Sequence, residues 1–331
     1  MKILRIVFVI SVLVVSTLCL AYMNSKYDSL SRYPYEGERT RAIIKDKLSR
    51  KEIEYIIEYS ISPDLFMEFI EVTNFNIYHS QEYYDLRYIL GPNNIKNFSP
   101  FKIVDMVEKT REFLTVKELG EYLSEYPFTL IEDWVKNGDE YSKNSQLVFN
   151  PSDIKLILDE KNSVSTYIPN DLVLLENQES EKIYLQKEAK NQFEQLCVAI
   201  EKDLEIEDCA GISISKGFIS YNSQKEIYLD FKEKLGNDAL KVTDYPGHSD
   251  HQLGLAIDIS INGVLDENIE KSIQYQWLLD NMHEYGFVQP YQMSNSVKLN
   301  KAPNFKHYRY IGKSTASKLY NESKIITDLS E

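Results

Sequence analysis

The sequence predicts an α+β protein in three parts, and three observations carry that prediction. An uncharged apolar stretch opens the chain, a region of helical periodicity follows, and the last half mixes helical spacing with strand alternation. Its 331 residues are enough for two domains behind the apolar stretch. At 43% hydrophobic and 12% aromatic the chain can bury ordinary cores, which excludes global disorder and collagen-like repeats. A net charge of −14 repels phosphate backbones and argues against a nucleic-acid partner. The 3 Cys cannot build a disulfide-dense scaffold and form no C-x-x-C pair. Any metal must therefore be held by His and carboxylate.

The first element is a membrane helix, assigned to residues 1–26. Lys2 and Arg5 precede a stretch without charge from Ile6 to Ser25. Some 20 residues of helix cover roughly 30 Å, one hydrocarbon core. The basic flank places the N-terminus inside and the rest of the chain outside the membrane. A cleaved signal peptide is the competing reading, with Cys19-Leu20-Ala21 as a small-residue cleavage site. Length favours a retained anchor. A lipoprotein reading fails at Leu18, which is too large to precede a lipidated Cys.

Residues 27–162 read as a helical region of unknown role, with helical patterning from about Tyr35 to Lys161. Ser49-Arg50-Lys51-Glu52 and Thr115-Val116-Lys117-Glu118 are capping boxes, in which each partner satisfies the other's free amide. They lie 66 residues apart, and a second start follows each, at Ser62-Pro63-Asp64 and at Thr129 to Glu132. A diverged duplication and a coincidence of two amphipathic helices both fit. The region's one His, His79, reads as a surface residue.

Residues 163–331 read as mixed α and β. Leu185, Ala189, Phe193, Leu196 and Ile200 mark the core stripe of a long helix. Leu255, Ile257, Ile259 and Ile261 alternate with Ala256, Asp258 and Ser260, which is strand periodicity and sends Asp258 to the face opposite the isoleucines. Trp277 to Tyr285 is a helix closed by Gly286, and His307 to Gly312 alternates as a second strand. His251, seven residues before Asp258, completes with His307 a three-ligand set that leaves a fourth tetrahedral position open, as a hydrolytic zinc requires. By spacing alone, Asp258 as a turn partner with both histidines on the surface fits as well.

Several ordered motifs favour the metal reading. Ser249, His251, Gly254, Ala256 and Asp258 spell S-x-H-x-x-G-x-A-x-D after Pro246-Gly247. Tyr167-Ile168-Pro169-Asn170-Asp171-Leu172-Val173 precedes it, and Trp277-Leu278 with Asn281 and Tyr285-Gly286-Phe287, then His307-x-Arg309-Tyr310-x-Gly312, come after it in order. Residues 163 to 313 thereby resemble the vancomycin-resistance-type (VanY-like) D-alanyl-D-alanine carboxypeptidases, zinc enzymes that trim peptidoglycan stem peptides. The resemblance implies a small zinc-peptidase domain with a short antiparallel sheet and flanking helices. It implies Zn2+ held by His251, Asp258 and His307, with Ser249, Gln224 and Arg309 around the substrate.

Two departures bear on activity. The family's E-x-W-H carries its general base three residues before the last His ligand, where this chain has Asn304, and Lys306 stands at the Trp position. An amide can hydrogen-bond but cannot accept a proton. The family's G-Y-R-S-x-x-x-Q stretch is here Gly217-Phe218-Ile219-Ser220 with Gln224, so Ile219 replaces the Arg. Asp250 and His248 are the candidate substitute bases, and Lys306 or Arg309 the candidate substitute charges. Two functions follow: a membrane-anchored zinc carboxypeptidase acting on D-Ala-D-Ala termini outside the cell membrane, or a catalytically impaired relative that binds cell-wall peptide as a structural or regulatory module.

Overall fold

The computed structural model describes residues 2–26, 29–32, 37–91, 97–175, 182–265, 267–294 and 296–329, so the expected region starts near residues 27 and 35 lie outside them. The chain divides into two compact units, Met1–Gly120 and Glu121–Glu331. Residues 121–162, expected with the helical region, thus cluster with the second unit.

In the first unit, helix Lys2–Lys26 holds an unburied apolar span, Arg5–Met23, with mean hydropathy 2.6. It is long and apolar enough to cross a membrane or to serve as a signal sequence. Both capping boxes form. Ser49 N donates to Glu52 Oε2 at 2.7 Å while Ser49 Oγ accepts from Glu52 N, and Thr115 N donates to Glu118 Oε2 at 2.7 Å. The second starts differ, however. Ser62-Pro63-Asp64 opens only the 3-10 turn Pro63–Leu65, whereas Phe128–Asn137, already in the second unit, is a full α-helix entered from Pro127. The core gathers Leu30, Ile44, Leu48, Ile56, Phe66, Ile70 and Ile77. His79 is half-buried rather than at the surface, with Nδ1 2.7 Å from Glu108 Oε1.

The second unit contains β1 (Gln146–Leu147), β2 (Asn162–Ser163), β3 (Leu172–Leu174), β4 (Tyr184–Gln186), β5 (Ile212–Lys216), β6 (Ala256–Ile261), β7 (Phe287–Val288) and β8 (His307–Tyr310). β5-β6-β8-β7 form the central antiparallel sheet, beside the two-stranded pairs β1-β2 and β3-β4. Helix Lys187–Leu204 buries Ala189, Phe193, Leu196 and Ile200, as the stripe predicts. Leu185 lies on β4 instead, because the helix begins at Lys187. Phe193 and Leu196 meet Ile257 and Ile259 of β6 and Leu278 of helix Ile273–Asn281 in the core. Gly286, at φ 84°, terminates the 3-10 turn that follows this helix. All six residues of β6 are buried, so both faces of the strand are covered.

Apart from β1, residues 138–161 are irregular rather than helical. Asp139 Oδ1 accepts from the amides of Tyr141 and Ser142, Asp153 Oδ1 from Lys155, and Asp159 Oδ1 from Lys161 and Asn162. Such short-range bonds compete with helical ones and hold turns.

A disulfide joins Cys197 to Cys209 across 12 residues, linking the long helix to the segment that enters β5. Composition did not reveal it. A loop of that size should contribute about 2–3 kcal/mol by restricting the unfolded chain. The Cys197→Ser, Cys209→Ser pair should lower the denaturation midpoint accordingly, and an unchanged midpoint would show that the bridge adds no stability.

Candidate active site

His251 occupies the 3-10 turn Asp250–Leu253, which Gly254 ends at φ 65°. A Cβ on Gly254 would lie 2.6 Å from Leu172 Cδ2, so β3 and this turn pack closely only because the side chain is absent. Gly217 is constrained likewise, since its Cβ would fall 2.5 Å from the Tyr184 carbonyl. The Gly217 carbonyl accepts from His251 Nδ1 at 2.7 Å, which leaves Nε2 as the imidazole's lone-pair nitrogen. Asp258 lies on β6, and His307, the first residue of β8, pairs directly across from it.

The structure brings these three buried residues together. Asp258 Oδ1 stands 3.3 Å from His251 Nε2 and 3.0 Å from His307 Nδ1, and one donor atom from each residue falls within 4.8 Å of the others. Tetrahedral zinc with bonds near 2.0–2.1 Å spaces its ligand atoms about 3.3 Å apart, so the donor set fits such an ion. Burial pushes the Asp258 carboxyl upward, but bonds from His251 and His307 outweigh it and hold the group far below the usual carboxylate range. Burial opposes the charged form of His251, yet Asp258 and the Gly217 carbonyl prevail and raise its pKa, while Lys216 acts in the opposite sense.

The three residues face a cleft of about 330 Å³ that is also lined by Ile219, Gln224, Ser249 and Asn304. Gln224 is buried, and its Nε2 donates to Thr243 Oγ1 at 3.0 Å and to the Asp244 carbonyl at 2.8 Å, holding the 243–244 loop. Among the described lining residues no Glu occurs, and Asp244 is the one carboxylate besides Asp258. Asp244 is already engaged, with Oδ1 2.5 Å from Lys301 Nζ. Tyr291 stacks on His307 with ring centroids 5.3 Å apart. The motif reading missed Asp244, Tyr291 and Lys301, which loop closure rather than sequence spacing places in the cleft, and Lys216, which the end of β5 places there.

Three expected residues lie elsewhere. Arg309, expected near the substrate, is wholly buried; its guanidinium donates to the carbonyls of Tyr310, Ile154 and Leu156, and Nε lies 3.4 Å from Asp250 Oδ1. Asp250 is thereby committed to Arg309 rather than to the cleft. His248 is buried with Nδ1 2.5 Å from the Asp159 carbonyl and Nε2 3.1 Å from Asp139 Oδ2. Burial alone would raise the Asp139 carboxyl, yet bonds from His248 and from the Ser142 and Tyr141 amides hold it below its usual range. Arg309 and His248 therefore fasten the 138–161 segment to the sheet domain. Arg309→Met should remove about 3–5 kcal/mol by leaving Asp250 and three carbonyls buried without their partner. A thermal midpoint equal to wild type would contradict that role.

Residues 182–313 match the family model of VanY, D-alanyl-D-alanine carboxypeptidase. The chain is 32% identical over 184 residues to YodJ of Bacillus subtilis (strain 168), a protein named as a carboxypeptidase, covering 52% of this chain and 64% of that protein. It is 36% identical over 77 residues to the D-alanyl-D-alanine carboxypeptidase of Enterococcus faecalis (strain ATCC 700802 / V583), covering 23% of this chain and 28% of the relative. Both shares fall short of two thirds of the relative's length. Among solved structures, the LdcB LD-carboxypeptidase superposes with a TM-score of 0.51 at 27% identity, covering 57% of this chain and 88% of the other. The sheet, the motif-bearing turn and these matches support a VanY-like carboxypeptidase family for residues 182–313.

Proposed function

We propose that the protein is a membrane-anchored zinc metallo-carboxypeptidase-like protein that engages D-Ala-D-Ala termini of peptidoglycan stem peptides outside the membrane. The observation that carries this reading is the convergence of His251, Asp258 and His307 at a cleft within the family-matched residues. When bound there, zinc supplies a Lewis acid and a nucleophile at neutral pH. His251 and His307 present imidazole nitrogens toward the Asp258 carboxylate, and Gly217 fixes the His251 tautomer. Ser249 and Asn304 offer neutral hydrogen-bonding groups at the cleft wall.

A second reading rests on the same cleft. Asn304 and Ile219 both line it, where the resemblance calls for a proton acceptor and a cation. His248 and Asp250 are engaged elsewhere. The catalytically impaired reading, with cell-wall peptide bound for a structural or regulatory purpose, is favoured on that observation. Incubating the zinc-loaded chain with diacetyl-L-Lys-D-Ala-D-Ala separates the two. Slow, chelator-sensitive release of D-Ala supports a working carboxypeptidase, binding without release supports the second reading, and neither binding nor release overturns both.

A further inference from the structure

A regular strand sends alternate side chains to alternate faces. β5 departs from this at Ser215: Ile214 pairs with Ile259, whereas Lys216 pairs with Asp258, and the register shifts between them. Without the extra residue, Ser215 would stand opposite Asp258, and Lys216 would turn to the face of Ile257 and Ile259. The bulge therefore re-aims Lys216 to the side of Asp258, as bulges beside active sites do. Ser215 Oγ donates to the Asp258 carbonyl at 3.0 Å and ties the bulge to β6. Because Asp258 faces His307 in turn, Lys216, Asp258 and His307 form one row across three strands.

The charges around the cleft give that row a purpose. Among the described residues four lysines line it, of which Lys301 is paired with Asp244 and Lys241 with Asp238. Lys216 and Lys306 make no ion pair among the described residues, and Lys216 is exposed. Among the described residues both lining carboxylates are engaged, Asp258 by two imidazoles and Asp244 by Lys301. On a chain of net charge −14, this leaves a locally cationic cleft suited to an anionic group. Ile219 supplies no charge there.

We propose that Lys216 binds the C-terminal carboxylate of the peptide beside the His251–Asp258–His307 cluster, an assignment that rests on the function proposed above. A lysine acts as a point charge, so an arginine at the same place serves as well for attraction. Lys216 is then a determinant of specificity for peptides with a free C-terminus.

The test uses the zinc-loaded full chain and two ligands, diacetyl-L-Lys-D-Ala-D-Ala and its C-terminal carboxamide. Binding is read by NMR titration of the ligand methyl signals, which also reports any D-Ala released. Wild type should bind the carboxylate peptide about tenfold tighter than the amide, the equivalent of one charge-assisted hydrogen bond. Lys216→Met should remove that preference without changing amide affinity, zinc content or thermal midpoint, and Lys216→Arg should keep it. A Lys216→Met variant that retains the full preference overturns the assignment and leaves the proposed function standing, as does equal binding of both peptides by wild type. Failure of wild type to bind either peptide overturns both.

Discussion

Asn304→Glu combined with Ile219→Arg should raise zinc-dependent release of D-Ala from a D-Ala-D-Ala peptide by about 100-fold or more over wild type. General-base transfer contributes typically about 10²–10⁴-fold, and a well-placed partner for developing negative charge adds a comparable factor. Both positions line the cleft that holds His251, Asp258 and His307, so the new groups would act where the donor set already stands. Each change alone should do much less, because groups that serve one transition state are strongly non-additive. Lys216 does not make Ile219→Arg redundant: an anchor for the terminal carboxylate acts on affinity, whereas the arginine acts on charge that develops during reaction. The measurement is kcat and KM for all four combinations. Brisk turnover by wild type, or a double variant no faster than it, would contradict the assignment of Asn304 and Ile219 as the limiting positions.

His251→Ala should abolish the zinc-dependent rise in thermal midpoint. Zinc at about 100 times its dissociation constant adds about 2.7 kcal/mol, which for a unit of this size corresponds to roughly 5–10 °C. The pH dependence has a definite sign. In the metal-free protein the raised pKa of His251 means that its pairing with Asp258 contributes stability at low pH, below the unfolded-state value, and loses it as pH rises through the folded one. Zinc needs the neutral imidazole, so the zinc-dependent increment should grow as pH rises through and above about 6.5. A shift of wild-type size in His251→Ala would show that zinc binds elsewhere.

Local patterns were legible where local physics decides them. The two capping boxes formed because a Ser or Thr and a Glu three residues on complete each other's hydrogen bonds within one turn. The alternation from Leu255 to Ile261 gave β6, and the motif spacing brought His251, Asp258 and His307 to one point. Nonlocal pairing was not legible. Arg309 read as a cleft residue because sequence does not show the 154–156 carbonyls that enclose its guanidinium. Asp244 and Lys301 are far apart in sequence and meet only through loop closure. A bulge at Ser215 has no periodic signature, yet it decides which face Lys216 takes. The irregular 138–161 segment looked helical in composition because aspartates that hold turns also occur on solvated helix faces.

X-ray absorption on the zinc-loaded full chain tests the metal cluster most directly. The expected spectrum shows one zinc per chain with only nitrogen and oxygen neighbours at about 2.0–2.2 Å, two of them imidazoles, and loses the imidazole signal in a His251→Ala, His307→Ala variant. A sulfur neighbour, or an unchanged imidazole signal in that variant, would contradict a centre built from His251, Asp258 and His307.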